Sequence, residues 1–277
     1  MDGARGEQIR VSGSFDLDVG GFLSVSGSMG LEQSTRSLVT ANGRQIETEV
    51  LAIGGSGIDG FAGINGGTAE KVGVELTGLE FGLALASADV DLDDDSATAD
   101  ETLTWTALEA EATSVSLVGI DANLLSASIS NSVVEFNSVD GAGNSADDWV
   151  LDLASAPLEI VTGTDSSRFI DINGREGEMI RVLTDIDLNI ANYVQVSGSL
   201  GFVKRAESVT LEDGSTVNMD VLALGASGLS GFAGVNGGQA SAIGFALEDM
   251  DLRLAIMSSD DTGYESYRWV AAEASVG

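Results

Sequence analysis

From residue 9 onward apolar and polar positions alternate with a period of two. Ile9, Val11, Phe15, Leu17 and Val19 share one parity, and Arg10, Ser12, Ser14, Asp16 and Asp18 share the other. Leu23, Val25, Met29 and Leu31 then alternate with Ser24, Ser26, Ser28 and Glu32. Successive strand residues point to opposite faces, whereas a helix would repeat every 3.6 residues, so the pattern predicts strands with one apolar and one polar face. The parity returns in Ile180, Val182, Ile186, Leu188 and Ile190, and again in Val194, Val196, Leu200 and Phe202. Further strands are predicted over residues 72–76, 79–85, 103–107, 125–129, 134–136 and 149–153. Only TALEAEATS (106–114) has helical propensity; lying between strand-like segments, it reads as strand. The expected fold is all-β, with antiparallel sheets in a sandwich- or roll-like arrangement.

Turns need residues that break this alternation, and Pro157 is the sole proline. Gly, Asn, Asp and Ser must therefore supply them. ANGR (41–44), EDGS (212–215) and INGR (172–175) carry the Asn-Gly or Asp-Gly hairpin signal, which predicts a meandering chain.

The same pattern occurs twice. Shifting the chain by 171 positions superposes residues 3–87 on 174–258 without a gap, with 34 identities in 85 positions. The strongest block is VLAIGGSGIDGFAGINGG (50–67) against VLALGASGLSGFAGVNGG (221–238). Trp105 and Trp269 are 164 apart, so the loop before the tryptophan is seven residues shorter in the second copy. The expected units are residues 1–170 and a C-terminally shorter copy, residues 171–277. Turn chemistry in TGTDSS (162–167) and DINGR (171–175) marks their junction.

Composition narrows the chemistry. With no Cys and no His, disulfides, the usual zinc ligand sets, Ser-His-Asp and Cys-His couples and imidazole acid/base catalysis are excluded. A net charge of −32 (12 Lys+Arg against 44 Asp+Glu) repels phosphates and anionic membranes, so no nucleic-acid partner and no membrane insertion are expected. The same charge concentrates multivalent cations. The start, MDGARGEQIRV, has neither a basic n-region nor an apolar h-region, so no signal peptide is expected in this chain. An outer-membrane barrel ranks below the other readings because aromatics are sparse, at 5%, and one strand face is acidic.

GFAGINGG (60–67) and GFAGVNGG (231–238) invite comparison with phosphate loops. Neither is followed by the Lys-Ser/Thr of a P-loop or by a dinucleotide-binding helix, so they read as recurring positive-φ turns. The acidic segments are the functional lead. ADVDLDDDSATADE (88–101) offers Asp91, Asp93 and Asp95, and DGAGNSADD (140–148) offers Asp140, Asn144, Asp147 and Asp148. Closely spaced hard oxygen ligands suit Ca²⁺, although neither segment has the EF-hand spacing. The competing reading is solvated acidic loops that keep the protein soluble. Trp105, Trp149 and Trp269 fall at apolar parity, which predicts core packing.

V-S-G-S-x-G, the V-L-A-[IL]-G-x-S-G-x-x-G-F-A-G-x-N-G-G block and the following L-A-[LI]-x-S and W-x-A segments together resemble the tandem repeats of giant bacterial extracellular, adhesin-type surface proteins. The resemblance covers most of the chain and marks no active site. It implies an elongated array of β units outside the cell, commonly calcium-stabilised, that spans distance or attaches cells. The expected partners are neighbouring repeats of the same chain or like chains. The alternative function is a β-rich binding module for an apolar or carbohydrate ligand, for which apolar residues on both faces of a strand or an exposed aromatic row would be the sign.

Overall fold

The computed structural model describes residues 7–92, 100–143, 146–259, 263–264 and 267–277. Eleven strands form one antiparallel sheet. The first six are β1 (Gln8–Val19), β2 (Leu23–Val39), β3 (Gln45–Ile64), β4 (Val72–Val90), β5 (Glu101–Val118) and β6 (Leu125–Asp140). A short helix, α1 (Ala146–Trp149), and a separate two-stranded hairpin, β7 (Leu158–Val161) with β8 (Ser167–Ile170), follow. The chain then re-enters the sheet as β9 (Met179–Ile190), β10 (Val194–Thr210), β11 (Thr216–Val235), β12 (Ile243–Ser258) and β13 (Arg268–Val276). Apart from the excursion between β6 and β9, every strand lies beside its sequence neighbour. The antiparallel all-β expectation holds, and among the described residues the second layer is the excursion between β6 and β9, which contains the two-stranded hairpin. TALEAEATS lies within β5.

β9, β10 and β11 begin and end 171 residues after β1, β2 and β3, and β12 begins 171 residues after β4. The two sets are not separate sheets, because β6 pairs with β5 on one side and β9 on the other. Nor is their junction an exposed linker: Ile170 and Ile172 are fully buried, and Asn173 caps a 3-10 turn over Gly174–Glu176. INGR is thus not a hairpin. In ANGR and EDGS the expected turns do form, with Gly43 and Gly214 at φ of 82° and 85°.

Strands of 16 to 20 residues would carry their apolar set to the wrong face after any odd insertion. Here the insertion is built in. Gly57 takes φ of 55°, and the β3/β4 register slips between Gly55 and Ile58. The bulge moves the apolar set of β3 from odd positions (Leu51, Ile53) to even ones (Ile58, Ile64) while keeping it on one face. A Cβ on Gly55 would meet both Ile58 and Phe81, which places these two on that face. Gly78, Asn131, Gly228 and Asp249, also at positive φ, continue the row of irregularities across β4, β6, β11 and β12.

The largest core lies on the opposite face of the first half. Val50, Ala84, Leu103, Trp105 and Ala107 of the sheet pack against Val150, Leu151, Leu153, Ile160 and Ile170 of the excursion. Residues 149–153, predicted as a strand, are instead a cover segment. Val150 N–H closes α1 onto Ala146 O, Asp152 N–H reaches Val39 O, and Leu153 N–H reaches Ile172 O.

Candidate functional surfaces

Gly30, Gly54 and Gly82 are cross-strand neighbours on β2, β3 and β4, forming a shallow trough. β7 lies directly in it. A Cβ on Gly54 would come 2.4 Å from Val161 O, and one on Gly30 would come 2.5 Å from the same oxygen. Glycine is needed here because a backbone approaches, not because of a turn. The hairpin is fastened beside the trough by Arg168, whose Nη2 donates to Glu109 Oε1 at 2.7 Å and to Glu111 Oε1 at 3.3 Å. Arg168 and Glu109 side chains are each only 11% exposed. Trp105 Nε1 donates to Trp149 O at 2.6 Å and Asn137 Nδ2 to Leu151 O at 2.8 Å, tying the preceding segment to the sheet. Arg44 stacks its guanidinium 5.1 Å from the Trp149 ring centre.

The second half keeps part of the trough, and no described segment lies in it. Gly201 and Gly225 pair as Gly30 and Gly54 do, and with Val203, Ala223, Ala255 and Ala271 they border an open groove of about 500 Å³. Arg253 stands at the position of Gly82 and reaches Glu273 at 3.5 Å, both side chains being largely exposed. On the same side of the sheet, toward one end of the strands, Thr48, Ala86 and Leu103 correspond to Met219, Met257 and Tyr267. The larger side chains build a small local cluster: Val217, Met219 and Val221 are buried, with Tyr264 and Trp269 packed against them. Tyr267 stacks on Trp269 with ring centres 5.8 Å apart. Trp105 and Trp149 are buried as predicted, while Trp269 is only partly so.

Asp91, Asp140 and Asp148 lie toward the same end of β4, β5 and β6, whereas Asp93, Asp95 and Asn144 lie outside the described residues. Asp91 O accepts from Arg44 Nη1 at 3.2 Å, Asp140 Oδ1 accepts from Gly141 N–H at 3.0 Å, and Asp148 O accepts from Asn42 N–H at 2.9 Å. Among the described residues no three acidic side chains converge as a metal-holding group. Asp147 of the same segment receives Glu178 N–H at 2.8 Å and anchors α1 to the junction.

The glycine blocks are only partly turns. In GFAGINGG, Asn65 and Gly67 have positive φ, but Gly63 lies inside β3 and Gly66 beneath the Phe61 ring. Phe232 covers Gly234 and Gly237 in the same way. An aromatic laid over a strand glycine shields backbone that has no side chain of its own. Glu109 and Arg168 were missed from sequence because their partnership spans 59 residues. The available signal was the short run LEIV followed by turn residues.

At the seam, Asp185 Oδ2 accepts from Asn131 Nδ2 at 2.8 Å, and its Oδ1 accepts from Ser199 Oγ at 2.5 Å. These bonds favour the charged form and hold the carboxyl below its ordinary value, chiefly through Asn131. Asp213 is lowered likewise by the Ser215 side chain and then its N–H. No known protein family, curated protein or solved structure matches this chain.

Proposed function

We propose that the chain is a non-catalytic structural segment of an extended extracellular array, built from two related units that add their strands to one sheet. The observation that carries this reading is the double pairing of β6, with β5 on one edge and β9 on the other. A unit added in this way contributes six strands, an advance of about 29 Å at a strand spacing of about 4.8 Å. The adhesin-like motifs support placement at the cell surface, as does the absence of Cys in a chain exported unfolded. The acidic loops, with Asp91, Asp93 and Asp95 or Asp140, Asn144 and Asp148, are the proposed sites of stabilising Ca²⁺.

Amide exchange tests the shared sheet. Protection at β6 and β9 should match that within each half, and thermal unfolding should be one transition. Two separated transitions, with fast exchange along the β6/β9 ladder, would mean independent modules. Surface placement is tested by protease shaving of intact producing cells, where retention of the chain inside them would overturn it. The binding-module reading is favoured by one feature, the Tyr264, Tyr267 and Trp269 cluster. Saturable quenching of tryptophan fluorescence by an oligosaccharide, lost in Tyr267→Ala, would establish it.

A further inference from the structure

The face opposite the hairpin is apolar from one sheet edge to the other. Following the register, Met29, Gly55, Phe81, Ala110, Val134, Val182, Phe202, Leu224, Leu254 and Ala272 form one cross-strand row from β2 to β13. A neighbouring row runs through Val11, Leu31, Ile53, Leu83, Leu108, Phe136 and Ile180 before meeting Lys204. Below the bulges Leu17, Val25, Leu76, Val115, Ile129 and Ile186 continue the same face. No described part of the chain lies over it, for β7 and β8 contact only the other side. Val11 is 64% exposed, and Met29, Leu31 and Leu224 are each 38–39% exposed.

We infer that this face is the interface with a second copy of the chain, the two sheets packing apolar face to apolar face as a sandwich. Its size supports the reading. Eleven strands give ten spacings of about 4.8 Å, a width of about 48 Å, and the rows from Val11 to Val19 span about 27 Å. That is roughly 1,300 Å² per copy, well above the few hundred Å² of apolar patch a soluble monomer exposes. Sheet twist limits perfect overlap, yet even half of the roughly 2,600 Å² total falls in the range of specific interfaces. The charge distribution supports it as well. Asp16, Asp18, Asp59, Glu75, Asp185 and Asp187 project from the hairpin side, so mating the apolar faces turns the acidic sides of both copies outward. A lipid surface fits less well, because Lys204 interrupts the face and the sheet edges would stay unpaired in hydrocarbon. A two-fold axis near β6, the middle one of the eleven described strands, makes the contact self-complementary for this chain, with Val134 and Phe136 beside the axis.

Sedimentation of the full chain at tens of micromolar should give twice the 28.3 kDa chain mass. Phe136→Asp and Leu108→Lys should each shift the species to monomer with unchanged circular dichroism, whereas Asp187→Lys on the acidic side should remain dimeric. Because the chain lacks Cys, Val134→Cys gives a clean second readout: mild oxidation should crosslink it, and Val276→Cys at the sheet edge should not crosslink. A monomeric wild type overturns the inference, and so does a dimer unaffected by both face substitutions, which would indicate edge pairing. Monomer that co-floats with phosphatidylcholine vesicles overturns it in favour of a lipid surface.

Discussion

The two halves of the sheet share the lengths of their first three strands, bulge positions and glycine pairs, yet they treat their hairpin-side faces differently. The first half lays a segment over the sheet: small residues such as Gly54, Gly82 and Ala84 make room, and Ile160, Leu153 and Ile170 fill the space. The second half has Arg253 at the position of Gly82, where the hairpin lies in the first half, and Met257 and Met219 at those of Ala86 and Thr48, so larger side chains stand on this face and pack on one another. Burial by a cover requires a smooth floor, whereas burial without one requires a rough floor. The same backbone accepts both because strand register is set by bulges and cross-strand pairs, not by what lies above the face.

The comparison is broken most severely at its ion pairs. Glu109→Ala leaves the Arg168 guanidinium buried without its closest carboxylate and should cost about 3–5 kcal/mol, read from denaturant midpoints. Glu273→Ala at the corresponding exposed pair should cost no more than about 0.5 kcal/mol. Equal costs would show that the cover contributes little to stability.

Calcium should separate the halves next. The first acidic loop carries a denser run of aspartates than its shortened counterpart. An ion held only by the native state at 100 times its dissociation constant adds about 2.7 kcal/mol. Melting in millimolar Ca²⁺ should therefore exceed melting in ionic-strength-matched NaCl, and joint change of Asp93, Asp94 and Asp95 to Asn should remove the difference. Coincident curves in the two salts would return the loops to a solubilising role.

Glycine replacement sharpens the contrast further. Gly54→Val drives a side chain into Val161 O and should cost about 1–3 kcal/mol or more. A Cβ on Gly225 meets only Leu252 O at 3.9 Å, so Gly225→Val should be neutral, or stabilising by about 0.5–1 kcal/mol, since valine suits a strand better than glycine. Opposite signs at equivalent positions would establish that the second trough is open in solution.

The smallest effect lies at the seam. A carboxyl with a folded pKa below its unfolded value contributes stability that is present above the unfolded value and is lost as pH falls through the folded one. Asp185 should behave so. The difference in stability between wild type and Asp185→Asn should be constant at neutral pH and vanish as pH falls below about 3.8, the ordinary value of this carboxyl. A difference that persisted into acid would assign the effect to geometry instead of charge.

Period-two alternation made the strands, their apolar face and the meander legible, because those depend on neighbours within one or two residues. The 171-residue offset located the recurring strand starts. Residues 149–153 misled because an apolar run that covers a sheet has the composition of a strand within one, and only its long-range bonds to Val39 and Ile172 distinguish the two. The glycine block misled for a similar reason: Gly63 answers to a close backbone and Gly66 to the Phe61 ring, neither of which is written in local sequence. Of the acidic candidates, Asp91, Asp140 and Asp148 fall at one end of the sheet, a proximity that spacing along the chain did not reveal.

The meander also determines how the molecule would respond to tension. β1 and β13 form opposite edges, so a pull between the chain ends acts along the interstrand hydrogen bonds and loads them one rung at a time, like a zipper opened from its end. The second half, over whose strands no described residue is laid as the hairpin is over the first, should peel first and yield slack. The β7/β8 hairpin reaches from β2 to β5, so peeling there must also lift the hairpin and break the Arg168 anchor. One continuous sheet thus contains a compliant segment in series with a clasp.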